Sequence, residues 1–188
     1  MIYLEGGAII DSAGEVKDSW RPRALPRAES VLVASSMTRW PLPEPMKLAL
    51  EQAHAAALAG EVPIGAVIVK GGEVIAAAHN RPRALHDPTA HAEVLAIRAA
   101  AAALGQERLD GCDLWVSLEP CPMCAGAIMH ARLARVYYAA PDPKGGAVEH
   151  GGRLFDQPTC LHRPEVYAGL GEAESVALLR DFFRARRG

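Results

Sequence analysis

The chain has 188 residues, half of them hydrophobic and 22% charged, with a formal net charge of −2. That balance excludes a disordered chain, which lacks the apolar surface to offset its ordering entropy, and the 17 glycines and 14 prolines follow no collagen-like triplet. Near-neutrality also removes whole-molecule attraction to nucleic acid, so any grip on a polyanion must come from a local patch.

Residues 1–43 read differently from the rest. Pro22, Pro26, Pro41 and Pro43 interrupt them and charges of both signs scatter without period. They are expected to be a poorly ordered arm, or sequence upstream of a true start at Met37 or Met46. No basic segment leads into an apolar core, so no secretory signal is expected. No apolar run approaches the roughly 18 residues of a membrane helix. A single domain is expected over residues 44–188.

Pro45 and Gly60 bracket a predicted helix with Met46, Ala49, Leu50, Ala53, Ala57 and Leu58 on one stripe. Ile64–Val69 reads as a buried strand, Gly71-Gly72 as a tight turn, and Val74–Ala78 as the returning strand. A polar loop, His79–Thr89, leads to a helix over Thr89–Leu104 that Gly105 stops. Asp113–Leu118 is a strand, about Cys121 to Ala131 a helix, and Arg135–Ala139 a strand ended by Pro141. A Gly/Pro-rich loop covers about 141–164, followed by a short strand over Val166–Leu170. The last helix, Glu172–Arg187, places Val176, Leu179, Phe182 and Phe183 on its apolar side. Strands separated by helices imply parallel pairing with helices on both faces, and the early hairpin makes the sheet mixed.

Two segments carry chemistry: Pro88-Thr89-Ala90-His91-Ala92-Glu93 and Glu119-Pro120-Cys121-Pro122-Met123-Cys124. Each lies where a helix begins. Cysteines three apart share a helix face, and a helix N-terminus favours thiolates. His91, Cys121 and Cys124 would give zinc three protein ligands and leave a fourth position for water, the arrangement of a catalytic site. Glu93 would then carry the proton. Spacing alone leaves open whether it faces the same pocket, because residues two apart diverge by about 200° on a helix. A redox C-x-x-C pair and a four-ligand structural zinc using Cys112, Cys160 or another histidine also stay open.

On these segments the chain resembles the zinc-dependent nucleobase deaminases, and within them the bacterial tRNA-specific adenosine deaminases. The H-x-E…P-C-x-x-C signature and its chemistry are a known pattern of those enzymes. The similarity spans roughly residues 46–187. It includes Glu61-Val62-Pro63-Ile64-Gly65-Ala66-Val67, Asn80-Arg81-Pro82, the stretch from His86 to Glu93, and Leu118 to Ala127. Asp142-Pro143-Lys144-Gly145-Gly146-Ala147 and Leu178-Leu179-Arg180-Asp181-Phe182-Phe183-Arg184 point to the tRNA branch. The resemblance implies a three-layer α/β/α, cytidine-deaminase-like fold with a five-stranded mixed sheet. It implies one zinc ion per subunit of a cytoplasmic homodimer. The implied reaction converts the wobble adenosine of a tRNA anticodon stem-loop to inosine by zinc-activated water, with Glu93 as proton shuttle. The family's usual substrate is an arginine tRNA. A free guanine or cytosine deaminase on the same scaffold is the alternative.

The resemblance assigns base and ribose contact to Asn80, the only asparagine of the chain. It places Ala92, Pro120, Val62 and Asp142 around the substrate. Lys144, Arg180, Phe183, Arg184 and Arg187 are candidate RNA contacts, since arginine pairs well with phosphate and aromatics stack on bases. A solvated helix end explains the arginines equally well, and one of the two phenylalanines is expected in the core. The family's asparagine-histidine pair in the late loop reads Leu161-His162 here.

Overall fold

The computed structural model describes Ile9–Ile10, Val16–Lys17 and residues 41–187. The chain divides into Met1–Arg39 and Trp40–Gly188. In the first unit β1 (Ile9–Ile10) pairs antiparallel with β2 (Val16–Lys17). The rest of residues 1–40 lies outside the described residues.

The second unit runs α1 (Glu44–Leu58), β3 (Gly65–Lys70), β4 (Glu73–His79), α2 (Pro82–Leu85), α3 (Ala92–Leu104), β5 (Cys112–Leu118), α4 (Pro122–Ala131), β6 (Arg135–Ala140), β7 (Glu165–Ala168) and α5 (Glu172–Arg184). The sheet order is β4-β3-β5-β6-β7. β3 is antiparallel to both β4 and β5, whereas β5, β6 and β7 pair in parallel. Four strands therefore point one way and β3 alone is reversed. The sheet is mixed, as expected.

Alternation along the strands sorts the core into two layers, because neighbouring side chains point to opposite faces. Ala66, Ile68, Leu114, Val116, Val136 and Tyr138 join the buried faces of α3 and α4. Val67, Val69, Trp115, Tyr137 and Ala139 face Met46, Ala49 and Leu50 of α1. α1 seats very close to the sheet at Gly65, where a Cβ would lie 2.1 Å from the Ala49 carbonyl oxygen. Only glycine admits that approach. The Gly65 N–H donates to Ser117 Oγ, and Ser175 of α5 donates to the Ser117 carbonyl, so Ser117 ties three elements together.

Several local expectations shift. The polar loop after β4 contains the short helix α2, nucleated by Pro82 at its first turn. α3 begins at Ala92 rather than Thr89, since Asp87 accepts from Thr89 in an Asx turn that keeps the backbone non-helical up to His91. The late loop carries a 3-10 turn at Leu154–Asp156, and β7 starts and ends earlier than expected. In α1 Ala56 is buried and Leu58 lies 91% exposed, off the stripe. In α5 Ser175 and Phe182 are buried while Val176 and Phe183 are exposed. α5 stops at Arg184, three residues short of the predicted end.

Candidate active site

The candidate zinc and substrate residues gather at one end of the sheet. Asn80 follows β4, Glu119 to Cys121 follow β5, and Asp142 follows β6. Val62 precedes the reversed strand β3, so it starts from that same end. This is the carboxyl edge of the co-directed strands, where α/β sheets place their ligand sites.

His91 and Cys121 are the N-caps of α3 and α4, with extended backbones (φ −73°, ψ 151° and φ −72°, ψ 171°). Neither side chain caps its helix. Both are diverted toward each other, and the two helix N-termini aim their orphan N–H groups and positive dipole ends at the same spot. Cys124, one turn into α4, completes the set. His91 Nδ1 lies 3.7 Å from Cys121 Sγ and 3.5 Å from Cys124 Sγ. One ligand atom from each of the three residues falls within 4.8 Å of the others. The cap position also answers the orientation of Glu93. Because His91 precedes the helix, the helical angle between positions 91 and 93 does not apply.

Glu93 is buried at 3% exposure, and its Oε2 has no hydrogen-bond partner. Burial pushes its carboxyl up to about 7, with Cys121 adding to the rise and His91 opposing it. The Cys124 thiol draws the Cys121 thiol down to about 4 against the effect of burial, with His91 helping. The Cys121 hydrogen bond and burial hold the Cys124 thiol well above its ordinary value. The Cys121 contact raises His91. Two sulfurs and an imidazole nitrogen are a donor set suited to zinc, and an orphaned buried carboxyl beside them is suited to proton transfer. The set fits the ion.

Asn80 is buried at 3% exposure, and its Oδ1 accepts the Ala92 N–H at 2.8 Å. It thus satisfies the first free amide of α3, and among the described residues nothing accepts from its Nδ2. The Asn80 N–H donates to the Ile64 carbonyl, which joins Asn80 to the Val62–Ile64 segment. Asp142 turns its carboxylate on its own loop, accepting from the N–H groups of Lys144 and Gly145. Pro120 is buried and its carbonyl accepts the Ala147 N–H. Lys144 is exposed.

The arginines of α5 divide by role. Arg180 and Arg184 are exposed and share Asp181, at 3.4 and 4.0 Å. Arg187 donates weakly to the Phe183 carbonyl at 3.4 Å. Arg186 instead lies 3.6 Å over the buried Phe182 ring and donates to the Gly60 carbonyl at 2.9 Å. That bond ties the end of α5 to a residue two before Val62. Phe183 is the exposed member of the pair and meets Phe182 edge-on. His162, which keeps the family's histidine beside the divergent Leu161, bonds the Leu133 carbonyl through Nε2 at 2.6 Å, and so braces the late loop.

Two buried acids inside the quoted motifs, Glu61 and Glu119, have roles that the sequence alone does not assign. Glu61 accepts the Ala84 N–H and holds α2 against the entry to β3. Glu119 accepts from Asp142, Val148, Glu149 and His150. Burial favours its neutral form, but these backbone donors and the His150 ring prevail and hold the carboxyl below the usual range. The available signal was a lone acid between an apolar strand and a proline, with no basic residue near it in sequence.

Residues 43–187 match the MafB19-like deaminase family. A tRNA-specific adenosine deaminase of Agrobacterium fabrum is 61% identical over 142 residues, covering 76% of this chain and 93% of that protein. Its namesake in Bacillus subtilis is 46% identical over 142 residues, covering 76% and 88%. A structure from a study of A-to-I editing by tRNA:A34 deaminases at the wobble position superposes with a TM-score of 0.71 at 61% identity, covering 72% of this chain and 98% of the other. A guanine deaminase of Nitrosomonas europaea reaches a TM-score of 0.59 at 29% identity, covering 73% and 82%. The chain belongs to the MafB19-like deaminase family, among the relatives known as tRNA-specific adenosine deaminases.

Proposed function

We propose that this chain hydrolytically deaminates the wobble adenosine of a tRNA anticodon loop, giving inosine and ammonia. The observation that carries the reading is the meeting of His91, Cys121 and Cys124 within 4.8 Å, beside the buried carboxyl of Glu93, whose Oε2 has no partner. Those three residues would hold one zinc ion per subunit. When bound, zinc supplies a water acidified toward about 7.

The chain's own residues do the rest. Glu93 takes one proton from the attacking water and delivers it to the ring nitrogen, then takes the second from the new hydroxyl and delivers it to the leaving amine, a task that suits a carboxyl poised near neutrality. Its burial, at 3% exposure, keeps bulk water away from the exchange. Asn80 uses its oxygen to fix Ala92, so its Nδ2 stays available to orient the base. Ala92 and Pro120 form the pocket walls on either side of the ligands, and Val62 lines the entry. Asp142 and Lys144 form a rim from the loop after β6. Arg180, Phe183, Arg184 and Arg187 extend the binding surface to the stem.

The deaminase unit is taken as residues 44–188. A homodimer is inferred from the family resemblance; a groove of about 580 Å³ along α3 and α4, lined by both apolar (Val94, Ile97, Leu161) and charged (Arg98, Glu107, Arg108, Arg132) residues, contains none of the three ligand candidates. The substrate is inferred to be an arginine tRNA. An RNA substrate and cysteines that must stay reduced both favour a cytoplasmic setting. Among the described residues no helix is long and apolar enough to cross a membrane.

The test incubates zinc-loaded protein with an anticodon stem-loop bearing a wobble adenosine and looks for inosine. Turnover of free guanine or cytosine with the RNA left unchanged would overturn the reading.

A further inference from the structure

The side chain of Glu119 is fully buried, two residues before Cys121. No guanidinium or ammonium faces it among the described residues. Its Oε1 accepts three consecutive amides, from Val148 at 3.1 Å, Glu149 at 2.9 Å and His150 at 3.0 Å. Its Oε2 accepts the Asp142 N–H at 2.9 Å and pairs with His150 Nδ1 at 2.7 Å. Successive amides converging on one point form a nest built for an anion. Here the anion is a side chain, and five donors exhaust the roughly four lone-pair sites of a carboxylate.

The loop is moulded around this carboxylate from its other side as well. A Cβ on Gly146 would lie 2.5 Å from Glu119 Cδ and 2.6 Å from the Asp142 carbonyl oxygen. Gly151 has φ +52°, and a Cβ there would meet the Gly146 carbonyl at 2.4 Å. The Ala147 N–H donates to the Pro120 carbonyl at 2.9 Å, and the Tyr138 hydroxyl donates to Glu149. The loop 142–150 has no helix or strand of its own. It is shaped on the two residues that lead into the Cys121 helix, and it carries Asp142 and the exposed Lys144.

We propose that Glu119 is a positioning residue that sets the substrate-facing loop 142–150 at a fixed place relative to the Cys121 helix, and so governs how well RNA docks. The proposal rests on the RNA reading above. Cys121 and Cys124 are held by α4 itself, so loosening the loop leaves the ligand set in place. The effect should fall on binding rather than on the chemical step.

Glu119→Gln tests this. Glutamine keeps one acceptor oxygen for the 148–150 amides but turns an NH2 toward the Asp142 N–H and the His150 ring. Gly146→Ala perturbs the same contact from the loop side. Both variants are expected to bind zinc at the wild-type ratio. Exchange of the amides of 142 and 148–150 should rise about tenfold. KM for the stem-loop should rise about tenfold, with kcat within about threefold. Wild-type exchange and wild-type KM in both variants would overturn the proposal, as would a loss confined to kcat. If Glu119→Gln fails to fold, Gly146→Ala decides by the same criteria. If the wild-type protein leaves RNA unedited, the substrate reading falls, and the exchange and stem-loop binding measurements still decide the role of Glu119.

Discussion

Replacing Asn80 separates a structural bond from a recognition bond. Its Oδ1 accepts the Ala92 N–H at 2.8 Å in a site only 3% exposed. Asn80→Ala leaves that amide buried without a partner at the start of α3. Orphaning a buried donor costs about 1–3 kcal/mol, and loss of an N-terminal cap costs a similar ~0.5–2 kcal/mol. These describe the same bond and are not summed. For a domain of this size roughly 2–4 °C of Tm is lost per kcal/mol, so a fall of about 2–12 °C is expected. The Nδ2 donor to the base is lost as well, which should lower kcat/KM by about 10–100-fold, the equivalent of roughly 1.4–2.7 kcal/mol. Asn80→Asp keeps an acceptor for Ala92 at a helix N-terminus that favours negative charge, but it has no donor. It should recover most of the lost Tm and none of the lost activity. Thermal melts and single-turnover inosine formation read the two effects independently. An Asn80→Ala protein with unchanged Tm, or an Asn80→Asp protein with wild-type kcat/KM, would refute the division of labour.

Glu93→Gln should retain zinc and lose at least about 10²-fold in kcat, the usual scale of positioned proton transfer; metal analysis and stopped RNA assays check both halves. Cys121→Ala should lose metal and turnover together, and full zinc content in that variant would remove Cys121 from the ligand set. Arg184→Ala with Arg187→Ala should reduce the slope of log affinity against log salt by up to about 2 for the stem-loop, and an unchanged slope would mean that neither touches phosphate. Burial lowers the His79 imidazole from its ordinary 6.5, with Arg81 assisting and Glu61 opposing. The unfolded chain therefore takes up this proton as pH falls below about 6.5, whereas the folded chain resists it. Stability present above that pH should decline as the pH falls further, and His79→Gln should flatten that part of a denaturation series.

Much of the site was legible because its chemistry is local. Cys121 and Cys124 lie three apart beside a proline that starts a helix, and His91 follows an Asp-Pro-Thr turn. Residue type and turn chemistry alone pointed to a ligand set there. The helices of the core were legible from apolar spacing, with errors at their ends, where capping rather than periodicity decides. Leu58, at the last position of its helix, and Val176, one position off the buried Ser175, were misplaced for different reasons, the first an end effect and the second a shift of helical phase. Glu119 was illegible in its role. Its partners, the amides of 142 and 148–150, lie 23 to 31 residues away and carry no side-chain signature.

What the sequence by itself determined is the inventory: three soft and borderline ligands, one acid beside them, one asparagine, and a strand order that puts helices on both faces of a mixed sheet. Each follows from residue identity and short-range spacing, which folding does not alter. Tertiary structure decided how the inventory is used. Packing α3 and α4 side by side placed His91 and Cys121 at facing N-caps, and burial left Glu93 unpaired and close to neutrality. Arg186, one of a run of arginines in the sequence, was drawn onto Phe182 and Gly60, while its neighbours stayed in solvent. These outcomes depend on long-range contacts and on the exclusion of water, neither of which a linear pattern records.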